Sequence, residues 1–243
     1  MNARPHEPRL ARIAAMIADP ARSRMLAYLL GGHYATAGEL AQVASIVPST
    51  ASAHLAKLVD HGLLGCEQRG RHRYFRLADA DVAHALEALA LIAERDSHDR
   101  AWASPERQRL RYARRCYGHL AGVLGVALYD TMVREGHLAQ GTSGLQLTEQ
   151  GSDWLAGLGC KPREASAGSR FAYACVDWSE RRDHLAGTLG ADLLQHFLSR
   201  GWLSGGSRAV VAAHDGSRRC LRLTPRGREA LSPWLGTVLA SQR

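Results

Sequence analysis

The sequence predicts a mainly α-helical chain with small β-hairpins, an α+β fold in which an N-terminal winged helix precedes a C-terminal duplicated helix/β-wing domain. Three observations carry this. Apolar residues recur at helical spacing through the first hundred positions, punctuated by helix start and stop signals. An arginine-rich turn, RGRHRYFRL at 69–77, joins two short strand-like runs. A block at 116–138 then recurs at 181–203. With 243 residues, 46% of them apolar, the chain fits one large domain or two small ones. Its formal charge of +8 comes almost wholly from arginine, whose planar fork of donors suits phosphate and favours a nucleic-acid or other anionic partner. No apolar run approaches the roughly 20 residues of a membrane span, so a cytoplasmic protein with no membrane partner is expected. Five widely spaced cysteines without a CxxC pair are expected to be free thiols.

The elements follow in order. Leu10, Ile13, Ala14 and Ile17 mark a first helix. Asp19 and Pro20 are an N-cap and a first-turn proline for a second, over about 20–30, that Gly31 and Gly32 end. Thr36 and Glu39 have capping-box spacing for a third helix at about 37–44. Pro48 opens a fourth, with Ala51, Leu55, Leu58 and Val59 inward and Gly62 as its left-handed stop. Its other face then shows Ser49, Thr50, Ser52, Ala53, His54 and Lys57, small or basic groups that fit a major groove. LLGCEQ and YFRL form a hairpin whose tip carries Arg69, Arg71, His72 and Arg73. Cations crowded at one turn repel each other, which makes sense if phosphates offset the repulsion.

These residues carry a resemblance. DPARSRMLAYLL, TAGELAQVASIVPSTASAHLAKLVDHGLL and RGRHRYFRL look like the winged-helix domain of the ArsR/SmtB family of bacterial transcriptional repressors, over about residues 8–98. The resemblance implies a homodimer on a palindromic double-stranded DNA operator, released when an effector binds. It also implies that the helix of DADVAHALEALALIAERD, with Val82, Leu86, Leu89 and Ala93 at helical spacing, makes the dimer together with the first helix. Two departures stand out. Where many members carry metal-binding cysteines, this chain has GELAQVASIV, and the spacing of Asp81, His84, Glu94 and His98 does not match the family's second metal site.

Ser104 and Pro105 begin another helix, and two repeats follow over about 105–160 and 175–240 within a second domain at 99–243. At an offset of 65, His119, Leu120, Ala121, Gly122, Leu124 and Gly125 match His184, Leu185, Ala186, Gly187, Leu189 and Gly190. LQLTEQGSDWL matches LRLTPRGREAL, with Thr148 and Thr224 as N-caps. Each repeat is expected to run as a long helix, one or two strands and a short capped helix, the second hairpin turning at Asp215 and Gly216. Glycines three apart inside a helix cost about 1 kcal/mol each against alanine, which points to close helix approach or room for a ligand.

Two copies packed about a pseudo-twofold axis would pair His119 with His184, and Cys116, Cys175, Asp177 and Trp178 gather at the same junction. Two readings stay open there. One is an effector pocket in which thiol and imidazole meet a metal ion, a small molecule or a thiol-reactive species; the other is a set of thiols packed as small hydrophobes beside structural histidines. No metal ligands and no cofactor are assigned from the spacing. The function expected is a sequence-specific DNA-binding regulator with an unidentified effector ligand for the second half. The alternative is an enzyme or ligand-binding module in the second half fused to a DNA-binding domain; against the enzyme stands the absence of GxGxxG, Walker, GxSxG and HExxH motifs.

Overall fold

The computed structural model describes residues 9–93, 104–141, 144–165, 170–205 and 219–240. They divide into two compact units, the first ending at Ala83 and the second beginning at His84.

The first unit holds α1 (Arg9–Ile17), α2 (Pro20–Leu29), α3 (Ala37–Ala44) and α4 (Pro48–Asp60), then β2 (Leu64–Arg69) and β3 (His72–Leu77). Local chemistry sets these boundaries. The Asp19 carboxylate accepts from the Arg22 backbone N–H at 2.9 Å, and Thr36 and Glu39 close a reciprocal capping box. Gly62, at φ +70°, takes the left-handed turn that ends α4. Leu26, Leu29, Leu40, Leu55, Leu58, Phe75 and Leu77 are buried in this unit. A two-residue strand, β1 (Ala35–Thr36), completes an antiparallel sheet in the order β1-β3-β2. It lies just ahead of the Thr36 cap and is too short to carry a periodic signal in the sequence.

α5 (Ala80–Ala93) starts in the first unit and continues into the second. The boundary between units therefore falls earlier than the one expected at residue 98, which lies outside the described residues with Glu94 and His98. The later turns of α5 pack within the second unit. His84 bonds the Tyr173 hydroxyl at 3.0 Å, Glu87 pairs with Arg219, and Ala90 and Leu91 meet Trp178.

The rest of the second unit opens with α6 (Pro105–Tyr112), capped by Ser104. Two copies of one unit follow. The first is β4 (Arg114–Cys116), β5 (His119–Ala121), α7 (Val123–Arg134), β6 (Leu138–Gly141), β7 (Gly144–Leu147) and α8 (Glu149–Leu158). The second is β8 (Tyr173–Val176), β9 (Asp183–Ala186), α9 (Gly187–Ser199), β10 (Leu203–Gly205), β11 (Leu221–Leu223) and α10 (Pro225–Ala240). The expected turn at Asp215 and Gly216 lies outside the described residues.

The duplication extends to single hydrogen bonds. Thr148 Oγ1 donates to Gly136 O and Thr224 Oγ1 to Gly201 O, both at 2.7 Å. The same hydroxyls accept from the Gly151 and Gly227 N–H at 2.9 and 3.0 Å. Leu124, Leu128, Met132, Leu155, Leu189, Leu193, Phe197 and Leu231 share one core between the copies.

One expectation is corrected here. Each copy begins with a hairpin rather than a long helix, so Cys116 and His119 lie on β4 and β5, not one turn apart on a helix. Gly122 and Gly187 take φ of +82° and +88° at the strand-to-helix corners. A Cβ on Gly122 would overlap the Arg111 carbonyl, and one on Gly187 would sit 2.5 Å from the Phe171 carbonyl. Gly125 and Gly190 do lie inside helices, each letting a backbone carbonyl, Leu120 O or Leu185 O, come to 2.5 Å of where a Cβ would be.

Candidate nucleic-acid interface and candidate effector site

In the first unit, α4 buries Ala51, Leu55 and Leu58. The 3.6-residue period then turns Ser49, Thr50, Ser52, Ala53 and Lys57 outward, and all five are exposed. The Ser52 hydroxyl donates back to Pro48 O at 3.0 Å. His54 differs from these neighbours. It is half-buried, with Nδ1 3.1 Å from Arg22 Nη1, and Arg22 in turn donates to Met16 O and Ala15 O. Its ring braces α4 against α2 and the end of α1.

The hairpin beside α4 turns through two residues, Gly70 at φ +60° and Arg71. Positive φ at the first central position alone is what a type II′ turn needs, and it matches the twist of the strands. Arg69, Arg71, His72 and Arg73 are exposed. They are not equivalent. Arg69 pairs with Glu67 at 2.8 Å and stacks on the Tyr34 ring at 4.4 Å, while Arg73 lies over Phe75 and donates to Cys66 Sγ at 3.4 Å. Hydrogen bonds from Arg69 and Tyr34 hold the Glu67 carboxyl below its ordinary range. Arg71, at the tip, has no ion-pair or hydrogen-bond partner among the described residues.

The second unit brings four of the six candidate effector residues together. Cys116 faces His119 across the β4–β5 pair, and Cys175 faces His184 across β8–β9. Directly opposed residues of an antiparallel pair project from the same face, so each hairpin presents one thiol and one imidazole. All four side chains are buried, and one ligand-type atom from each lies within 4.8 Å of the other three. His119 Nε2 and His184 Nε2 are 3.1 Å apart. Contact with Cys175 and burial push the Cys116 thiol up to about 12, against the opposing pull of His119.

Asp177 and Trp178 stand behind this cluster. Burial would raise the Asp177 carboxyl, but the Arg114 guanidinium, His184 and the Gly122 N–H outweigh it and hold the carboxylate well below its usual range. Asp177 Oδ1 accepts from Arg114 Nη2 at 2.8 Å and from Ser179 Oγ at 2.7 Å, and Oδ2 accepts from the Gly122 N–H at 2.6 Å. Asp177 Oδ2 also lies 3.7 Å from His184 Nδ1. Trp178 lies under Arg114 at 4.5 Å and packs on Ala90, Leu91 and Leu110. The sequence did not flag Arg114, which is fully buried and is the partner that keeps Asp177 charged.

The equivalence of Cys116 and Cys175 was also missed. At the offset of 65 that aligns the histidines, Cys116 falls opposite Arg181. Two residues, Tyr117 and Gly118, separate Cys116 from His119, whereas eight separate Cys175 from His184, namely the extra strand pair Val176 and Asp183 and the six-residue loop Asp177–Arg182, so the upstream strands align at 59 instead. Tyr112-Ala113 before Cys116 and Phe171-Ala172 before Cys175 carry that shorter register in the sequence.

Comparison with known proteins agrees with the fold. The family described as "Helix-turn-helix domain" matches residues 17–66. The chain is 41% identical over 197 residues to the uncharacterized HTH-type transcriptional regulator YdfF of Bacillus subtilis, spanning 81% of this chain and 87% of that one. The chain belongs to the HTH-type transcriptional regulators. Another such regulator, CmtR of Mycobacterium tuberculosis, is 37% identical over 86 residues, 35% of this chain and 72% of its own. Among solved structures, the homodimeric winged helix-turn-helix DNA-binding domain of a possible ArsR-family regulator from Mycobacterium bovis is 27% identical, with a TM-score of 0.35 over 37% of this chain and 82% of that one. As an HTH-type regulator with a winged helix, the chain bears out its resemblance to the ArsR/SmtB proteins, and relatives named as transcriptional regulators are consistent with a chain that is not an enzyme. The match to YdfF is too long to be confined to the winged helix, so this regulator shares much of its second half with a relative.

Proposed function

We propose that the chain is a homodimeric repressor that grips a palindromic operator with α4 and the β2–β3 hairpin and lets go when an effector occupies the Cys116/His119/Cys175/His184 cluster. The observation that carries the DNA reading is the outward row of Ser49, Thr50, Ala53 and Lys57 in the same unit as the exposed tip at Arg71 and Arg73. Hydroxyls, a methyl and an amine read base edges and phosphates, while the tip cations hold the backbone. Arg69 contributes less, because Glu67 already neutralises it. His54 positions α4 through Arg22 rather than reaching a base.

Two features support the dimer. α1 buries none of its residues, leaving Leu10 77% exposed, and α5 leaves Leu89 and Ile92 exposed. The cluster is the natural seat of the effector because its surroundings, through Tyr173, Trp178 and Arg219, touch His84, Ala90, Leu91 and Glu87 of α5. A change in the cluster thus reaches the helix proposed to join the two chains. The test is a binding titration of the purified full chain against duplex from upstream of its own gene and against the same duplex scrambled. Preference for the native duplex supports the reading; equal affinity for both removes it.

A further inference from the structure

We propose that Cys116, His119, Cys175 and His184 are the four ligands of a single thiophilic divalent cation of the zinc type, held between the two copies of the duplicated unit. The proposal rests on the function above only for its regulatory consequence; the site itself stands on geometry. Four donors of the two residue types that zinc prefers converge in the interior, two from each copy, at matching positions of matching hairpins. At ordinary zinc bond lengths, the corners of a tetrahedron lie about 3.3 Å apart for two nitrogens and about 3.8 Å for two sulfurs. The two Nε2 atoms are already 3.1 Å apart, and all four donors fit within 4.8 Å. Small side-chain adjustments are enough to close the shell.

The surroundings match a metal better than a packed core. Two buried imidazoles that point Nε2 at Nε2, 3.1 Å apart, can share only one proton between them, whereas a cation placed there would take both nitrogen lone pairs. His184 Nδ1 has no hydrogen-bond partner and faces Asp177 Oδ2. A proton on Nδ1 is stabilised by that carboxylate, which frees Nε2 to ligate, the outer-shell arrangement usual for metal-bound histidine. Asp177 is fixed for this task by Arg114, Ser179 and the Gly122 N–H. The charges also balance. Two thiolates and two neutral imidazoles around a dication sum to zero, and the two displaced thiol protons leave to solvent, so no uncompensated charge is buried. Four protein ligands leave no open position, which suits holding or sensing a metal rather than catalysis on it.

This site differs from those that the ArsR/SmtB resemblance implies, since the helix ahead of α4 has no thiol and His84 is bonded to Tyr173.

The test uses the full chain, reduced and stripped with a chelator, then titrated with Co²⁺ as an optical probe and with Zn²⁺ as competitor, with native mass spectrometry giving the stoichiometry. The expected result is one ion per chain, tetrahedral Co²⁺ bands with thiolate charge-transfer absorption, and their loss on adding Zn²⁺. Cys116→Ser and Cys175→Ser should each strip the charge-transfer intensity, while Cys66→Ser and Cys160→Ser keep it. Should the serine variants fail to fold, the wild-type titration still decides. A folded, reduced chain that takes up no Co²⁺ overturns the site, as does a spectrum unchanged in folded Cys116→Ser. Operator affinity is measured on the same stripped and loaded samples. No metal uptake with specific DNA binding intact defeats the site alone, whereas metal uptake without any operator preference upholds the site and defeats the repressor reading.

Discussion

His119 and His184, 65 residues apart in the chain, bring their Nε2 atoms to 3.1 Å in the interior of the second unit. Duplication produces this approach. Each copy ends its β-hairpin in the same strand and corner, β5 into Gly122 and β9 into Gly187, so each delivers a histidine at the same place relative to its helix. Two like groups then meet, and what they meet around is the site.

Replacing Arg71 and Arg73 with alanine is expected to weaken binding to every duplex and to lower the salt-dependence slope by about 1 for each phosphate no longer neutralised. Thr50→Ala should instead shift preference among operator variants, by about 1–3 kcal/mol at the base pair it reads. Anisotropy titrations over a range of salt concentrations separate the two outcomes. Because Arg69 is paired with Glu67 and stacked on Tyr34, Arg69→Ala should change the slope less than Arg71→Ala.

Asp19 caps α2, and its hydrogen bond from the Arg22 backbone N–H, opposed by partial burial and aided by Arg22 and His54, holds the carboxyl below its ordinary value. A carboxyl lowered by folding stabilises above the unfolded carboxylate range, near about 3.9, and loses that contribution as pH falls through the lowered value. Urea denaturation of Asp19→Ala should show a loss of about 1 kcal/mol at neutral pH that shrinks towards pH 3. An equal loss at both pH values would show that packing, and not the charged cap, is what the mutation removes.

The glycines of the second unit give a paired comparison. A Cβ at Gly190 would lie 2.5 Å from Leu185 O and 3.2 Å from the Cβ of His119, so Gly190→Ala should cost about 1–3 kcal/mol and disturb the cluster. Gly157, inside α8, has nothing within 4 Å, so Gly157→Ala should add up to about 1 kcal/mol. Thermal unfolding of the two variants should move in opposite directions.

The first unit was legible because its signals are local. Asp19, the Thr36/Glu39 box, Pro48 and Gly62 each act within a turn of where they stand, and the structure puts helix ends at all of them. The second unit was legible as a repeat but not as a register. HLAGVLGVAL reads as one continuous helical stripe, whereas Gly122 at φ +82° breaks it into a strand and a helix, a conformation that the letter G permits but does not announce. Cys116 and Cys175 escaped alignment because a six-residue loop separates strands that pair across space. Which buried donors face one another was therefore decided by β-pairing, a long-range property that spacing along the chain does not carry.

On this reading, the state of the Cys/His cluster sets the affinity for DNA. The most direct test is a footprinting titration on duplex from upstream of the chain's own gene, with the stripped protein and with the Zn²⁺-loaded protein side by side. The account predicts protection of a palindromic site by both chains of a dimer and an affinity that differs between the two states by at least about fivefold. Identical protection curves from samples shown to differ in bound metal would contradict it.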